Sequence, residues 1–171
     1  MSAADATGAR GDPGHPVLAR LLEVLPGAVR ETHACHGDAT AIVDPARIVE
    51  LLAALRETPG LDFEMLVDLT CVDYLGREPR FEMVYHLYSV ERNHRVRVKA
   101  RVPDPPCEID SVTGVYASAN WMEREVFDLY GVRFRGHPDL RRILLYAGFD
   151  GHPLRKDYPK ERRQPLVGPR N

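Results

Sequence analysis

Cysteine is scarce: Cys35, Cys71 and Cys107 are the only three in 171 residues, and no two form a CxxC step. That excludes a zinc ribbon or a disulfide framework, and a cluster held by four local thiolates cannot be built from three. An odd, sparse set suits a reducing cytoplasm. Long apolar runs are also missing. No stretch approaches the ~18 apolar residues needed to cross a bilayer, and residues 1–14, MSAADATGARGDPG, lack the apolar core of a secretory signal and read as a flexible arm. Work at a membrane would therefore be indirect, through other chains. Net charge is nearly absent, at −2, which at first excludes a strong electrostatic partner such as nucleic acid. The total conceals a division, however. Residues 1–131 carry 13 Lys+Arg against 21 Asp+Glu, a net of −8, whereas residues 132–171 carry 10 against 4, a net of +6.

What is present fits one folded core with 44% hydrophobic residues and enough length for a single domain. Pro16 can open a helix with Leu18, Leu21, Leu22 and Leu25 on one face, stopped by Pro26-Gly27. Two β-like runs, around 29–34 and 39–43, flank His36-Gly37-Asp38, a hairpin turn. Asp44-Pro45 caps and starts a second helix with a stripe of Ile48, Leu51, Leu52 and Leu55. Three alternating runs follow: Phe63, Met65, Val67, Leu69 and Cys71; Phe81, Met83, Tyr85 and Leu87; and Val96, Val98, Ala100 and Val102. The order α-β-β-α-β-β-β predicts an α+β fold, a two-layer sandwich with helices on one side of a sheet, over residues 15–118. The third run's outer face, Arg95, Arg97, Lys99 and Arg101, reads as a solvated sheet face balanced by acids such as Glu82 and Glu91, or as a phosphate or acidic-partner site.

Asn120 to Gly131 predicts a helix, with Asn120 and Glu123 at capping-box spacing and Gly131 at C′. Its apolar stripe is Met122, Val126, Leu129 and Tyr130, and Arg124 and Asp128 are spaced as an i, i+4 ion pair. Glu123 and Glu125 invite an acid–base reading, but residues two apart on a helix diverge by ~200° and cannot flank one bond. Past Gly131 the periodicity stops. Two Gly-His-Pro steps, each followed by a basic pair, force extended or turning backbone. Five prolines and ten basic residues interleaved with Phe134, Leu140, Ile143, Leu144, Tyr146, Phe149, Leu154 and Tyr158 predict an extended segment that orders against another protein's surface, its arginines acting as anchors to carboxylates. RNA binding is the weaker alternative, because no RNP-like sequence accompanies the basic residues. His137 and His152 have no nearby nucleophile or third ligand and read as structural. The cluster His33-Ala34-Cys35-His36 does not converge on a metal from a strand.

These residues carry a family resemblance. Glu123-Arg124-Glu125, then Asp128-Leu129-Tyr130, His137 and Arg141-Arg142-Ile143-Leu144 match the signature of the C subunit of respiratory complex I, the proton-translocating NADH–quinone oxidoreductase. Gly151-His152-Pro153-Leu154-Arg155-Lys156-Asp157-Tyr158-Pro159 resembles that family's second block. The resemblance spans residues 119–159. Past Pro159 the chain departs from the more apolar, aromatic continuation common in the family.

The resemblance implies a peripheral-arm subunit on the cytoplasmic face of a bacterial inner membrane. It implies that this chain binds no cofactor, while FMN, iron–sulfur clusters, NADH and quinone belong to other subunits. Its partners would be chiefly the hydrogenase-like D subunit, along which residues 132–171 would lie, and the cluster-bearing B subunit. Neither nucleic acid nor direct membrane contact is implied. The interface set so expected is Glu123, Arg124, Glu125, Asp128, His137, Asp139, Arg141, Arg142, His152, Arg155, Lys156 and Asp157. Competing readings are the equivalent subunit of a membrane-bound hydrogenase or another quinone oxidoreductase and, in a different class, a free-standing hydrolase using Glu123, Glu125, His137 or His152.

Overall fold

A computed structural model of the chain describes residues 15–161 and Gln164. The arm read from residues 1–14 and the end of the basic segment lie outside the described residues. Helix α1 (Pro16–Val24) buries Val17, Leu18 and Leu21, leaving Leu22 at the margin. Strands β1 (Val29–Cys35) and β2 (Asp38–Val43) form the expected hairpin, and its turn residues His36 and Gly37 both have positive φ, as a tight two-residue hairpin requires. Asp44 caps the next segment by accepting the Ala46 N–H at 3.0 Å; a 3-10 turn over Pro45–Arg47 then leads into α2 (Ile48–Glu57). The α2 stripe of Ile48, Leu51, Leu52 and Leu55 is fully buried.

Strands β3 (Met65–Asp73), β4 (Phe81–Ser89) and β5 (His94–Val102) complete a five-stranded sheet ordered β1-β2-β5-β4-β3. All neighbours are antiparallel except β2 and β5, which run parallel. The alternation read for β4 and β5 holds residue by residue: Phe81, Met83, Tyr85 and Leu87 pair across with Val102, Ala100, Val98 and Val96, and all eight are buried. The β3 pattern needs correction. A register shift between Leu66 and Asp68 turns Met65 and Val67 out of the core, and Leu66 takes the inward place beside Leu69 and Cys71. One inserted residue reverses the facing of everything on one side of it.

On the open face the basic row of β5 is met by acids. Lys99 binds Glu82 at 2.8 Å, Arg101 reaches Glu31 at 3.4 Å, and Arg97 lies 3.8 Å from Asp38. Arg95 stacks over the Tyr88 ring. The solvated-face reading therefore holds, with two of the three acids supplied by the β1–β2 hairpin.

Two short strands were not foreseen. β6 (Glu108–Asp110) and β7 (Arg133–Arg135) pair in parallel, with Ile109 opposite Phe134, both buried. They bracket α3 (Ala119–Tyr130), which packs against β3. Three residues are too few to show a period, so neither strand left a pattern to read.

Candidate functional site

The expected capping box does not form. Ser118 occupies the N-cap of α3 without a side-chain bond, and Asn120 lies inside the helix. This start puts Glu123 inward rather than over the first turn. Its carboxylate is fully buried and accepts the Val112 N–H at 2.7 Å and the Ser111 hydroxyl at 2.6 Å. Burial pushes the Glu123 pKa up to about 7, against the lowering effect of those two bonds. Glu125, two residues on, is exposed, so the pair diverges as the helical geometry requires.

The i, i+4 pair between Arg124 and Asp128 does not form either. Arg124 donates through Nε to the Arg141 carbonyl at 3.1 Å and through Nη2 to the Arg142 carbonyl at 3.3 Å, under the Trp121 ring. Asp128 is fully buried and takes four donors. The N–H groups of Ile143, Leu144 and Leu145 reach Oδ2 at 3.1, 2.8 and 2.8 Å, and Arg142 reaches Oδ1 at 2.8 Å. Burial alone would raise the Asp128 pKa; three backbone N–H groups and a guanidinium overcome it, and the carboxyl sits below its ordinary range.

The helix ends at Gly131, with φ 80° and its N–H on the Phe127 carbonyl. A methyl group there would stand 2.7 Å from the His152 ring, so both conformation and space demand glycine. His152 Nδ1 donates to the Asp128 carbonyl at 2.9 Å. Asp139 N–H donates to His137 Nδ1 at 3.0 Å, which leaves Nε2 as the donor to the Asn120 carbonyl at 3.2 Å. Both histidines are thus structural hydrogen-bonding groups.

The second block is held by a charge cluster at the end of the sheet. Arg80 grips Asp73 through two bonds, at 2.9 and 2.8 Å, and also meets Asp157 and Asp104. Arg155 binds Asp104 and the Tyr130 carbonyl; Arg80 and Arg155 both stack on Phe81. The Lys156 N–H donates to Asp73 at 2.8 Å, while its side chain is exposed. The Arg80 guanidinium lowers the pKa of Asp73, and it holds Asp157 at about 2. Asp73, Arg80, Asp104 and Ser111 escaped sequence reasoning. For Asp73 one signal existed, since it follows Cys71 at the inward position of β3.

The segment 137–158 therefore wraps its own α3 and sheet end, which corrects the reading that it cannot fold onto this chain. Of the expected interface residues, Glu123, Asp128, Arg142, His152 and Arg155 are spent on internal bonds. Glu125, Lys156 and Arg141, whose side chain is 71% exposed beside Asp139, face outward with Trp121 (64%) and Leu144 (62%). A groove of about 620 Å³ lies at one end of the open sheet face, where Arg95 and Arg97 oppose Asp38 and Asp68. Among the described residues no three of His, Cys, Asp or Glu are grouped to hold a metal.

A family model described as the respiratory-chain NADH dehydrogenase 30 Kd subunit matches residues 41–164. The chain belongs to this family. Both signature blocks fall inside the matched span, while α1 and β1 precede it. A Rhizobium meliloti (strain 1021) protein, named as the second of that organism's C subunits of NADH-quinone oxidoreductase, is 49% identical over 142 residues, 83% of this chain and 78% of that relative. A Geobacter sulfurreducens protein, named as the C subunit of NADH-quinone oxidoreductase, is 46% identical over 152 residues, 87% of this chain and 93% of its own length. Among solved structures, a trypsin-resistant fragment of Nqo5 aligns with a TM-score of 0.63 at 32% identity, covering 72% of this chain and 99% of the fragment. A chain of the archaeal membrane-bound sulfane sulfur reductase, a respiratory membrane complex, aligns with a TM-score of 0.74 at 26% identity, covering 88% of each. In this member of the 30-kDa-subunit family, no helix among the described residues is long and apolar enough to cross a membrane.

Proposed function

We propose that this chain is the cofactor-free scaffold subunit of a proton-translocating NADH–quinone oxidoreductase. Other subunits would carry FMN, the iron–sulfur clusters, NADH and quinone. Its place is the peripheral arm at the cytoplasmic face of the inner membrane, against the hydrogenase-like D subunit and near the cluster-bearing B subunit. The observation that carries this reading is the use made of the family signature: Glu123, Asp128, Arg142 and His152 each bond to backbone or to one another. These groups build a rigid edge of the molecule. A hydrolase reading is disfavoured, because Glu123 is enclosed and Glu125 faces solvent.

The sulfane sulfur reductase neighbour favours keeping a second reading, the equivalent subunit of a complex with another electron acceptor. Identities of 49% and 46% to proteins named as C subunits of NADH-quinone oxidoreductase, against 26% to that neighbour, favour the first. Affinity purification of the tagged chain from solubilised membranes, with mass spectrometry and an NADH–quinone reductase assay, separates the two. Recovery of flavin- and NADH-binding subunits with activity supports complex I. Recovery of the quinone-module subunits without them supports the alternative, and recovery of the chain alone overturns the scaffold role.

A further inference from the structure

Glu123 is an unusual core residue. Its carboxyl is 0% exposed, and the two groups that bind it, the Val112 N–H and the Ser111 hydroxyl, are both neutral. The charged groups around it are engaged elsewhere. On α3, Arg124 is turned to the carbonyls of 141 and 142, Asp128 is bound to Arg142, and Glu125 is in solvent. Across the loop, Arg135 is bound to Asp110 and Glu108. From the sheet, β4 presents Tyr85, whose buried hydroxyl has no hydrogen-bond partner among the described residues, and β3 presents the buried Cys71. Among the described residues, an ionised Glu123 therefore faces no cation and only two donors.

A buried carboxyl can exchange a proton only if a path leads out, and one is present. The Ser111 hydroxyl lies 2.6 Å from Glu123 Oε2 and 2.9 Å from the Thr113 hydroxyl. Ser111 and Thr113 both line an open cavity of about 500 Å³ with Gly114, Ala117, Asn120 and Pro138. The two hydroxyls can hydrogen-bond in either direction. With Glu123 neutral, its O–H donates to Ser111 and Ser111 donates to Thr113; with Glu123 ionised, both bonds reverse. No bond is lost in either state, so the difference between them is the cost of an uncompensated buried charge.

We propose that Glu123, Ser111 and Thr113 form a buried proton site that closes α3 onto the 111–113 loop when Glu123 is neutral and loosens that seat when it ionises. The site takes a proton from solvent through the cavity and returns it the same way. Burial as the leading cause, with a value of about 7 for Glu123, places the change near neutral pH. Because α3 also anchors the segment 141–145 through Arg124 and Asp128, the seat of the outward-facing edge is coupled to this one proton. The inference concerns the free chain and stands whether or not the scaffold role holds.

The test is a carboxyl-carbon NMR titration of the full chain, with amide hydrogen exchange at Val112 between pH ~5.5 and ~8.5. The Glu123 signal is expected to titrate within about a unit of 7. Val112 exchange, corrected for intrinsic base catalysis, should accelerate on the order of tenfold or more across that range. Glu123→Gln, which mimics the neutral carboxyl, should abolish the extra acceleration while leaving the fold intact. Ser111→Ala supplies a second variant, and its Glu123 midpoint should move higher because a bond to the charged form is removed. A midpoint below about 5.5, or Val112 exchange with the same corrected pH profile in wild type and Glu123→Gln, overturns the proposal.

Discussion

Asp128 gathers three consecutive backbone N–H groups and one guanidinium onto a single buried carboxylate. Replacing it with Asn keeps the volume but removes the charge that Arg142 and those N–H groups require, and breaking such a pair costs about 3 kcal/mol. Asp128→Asn should lower the urea midpoint and make residues 139–158 the first site of proteolysis. Gly131→Ala should destabilise by about 2 kcal/mol or more, because positive φ and the His152 ring both oppose a methyl group. The pH dependence has two opposing parts. Glu123 has a raised folded pKa, so its contribution is full below its unfolded value and is lost as pH rises through about 7. Asp73, Asp128 and Asp157 have lowered folded pKa values; theirs is full above the unfolded value and is lost as pH falls through the folded ones. Denaturation midpoints measured from pH ~3 to ~8 should therefore peak at about pH 5. Gly131 was legible in the sequence because its reason is local, the end of a helix. The partners of Glu123, Arg124 and Asp128 were not, because each is chosen by a residue 11 to 18 positions away.

Helices α1, α2 and α3 and strands β4 and β5 were readable from periodicity, since each runs long enough to bury one face. Strand β3 was readable only in part. A bulge carries no compositional mark here, and Met65 and Val67 looked like core until pairing with β4 turned them outward. The parallel pairing of β2 with β5 was hidden because strand order is set by long-range pairing. In the second block, the cluster of Arg80, Arg155, Asp73, Asp104 and Asp157 ties the segment to the sheet end, so it should open as a unit. Arg155→Ala is expected to raise amide exchange across 152–158 at least about tenfold while leaving β4 and β5 protected, as read by exchange mass spectrometry. Equal deprotection of the central strands would show instead that the clamp and sheet form one cooperative unit.

At the scale of the molecule, the division between a domain at −8 and a segment at +6 is resolved largely within the chain. Arg135, Arg142 and Arg155 are neutralised by Glu108, Asp110, Asp128 and Asp104. That alters what charge reversal at the basic pair reports. Arg141→Glu touches an exposed side chain and should leave the melting temperature unchanged within about a degree; if this edge meets a partner, it should reduce co-purification with the complex. Arg142→Glu should destabilise the free chain by setting a carboxylate against Asp128, so its loss of assembly would not identify a contact. Comparing the two variants by melting and by co-purification distinguishes docking from folding.

The groups that complete α3 are also the last to be made. During synthesis from the N-terminus, the helix leaves the ribosome with the Asp128 carboxylate and the Arg124 guanidinium lacking their partners at 141–145. The sheet can assemble first, whereas the signature edge locks only after its own clamp has emerged. A nascent chain stalled before that point would expose a finished core beside an unfinished surface, so any partner that recognises the clamped edge meets it only on chains translated past the second block.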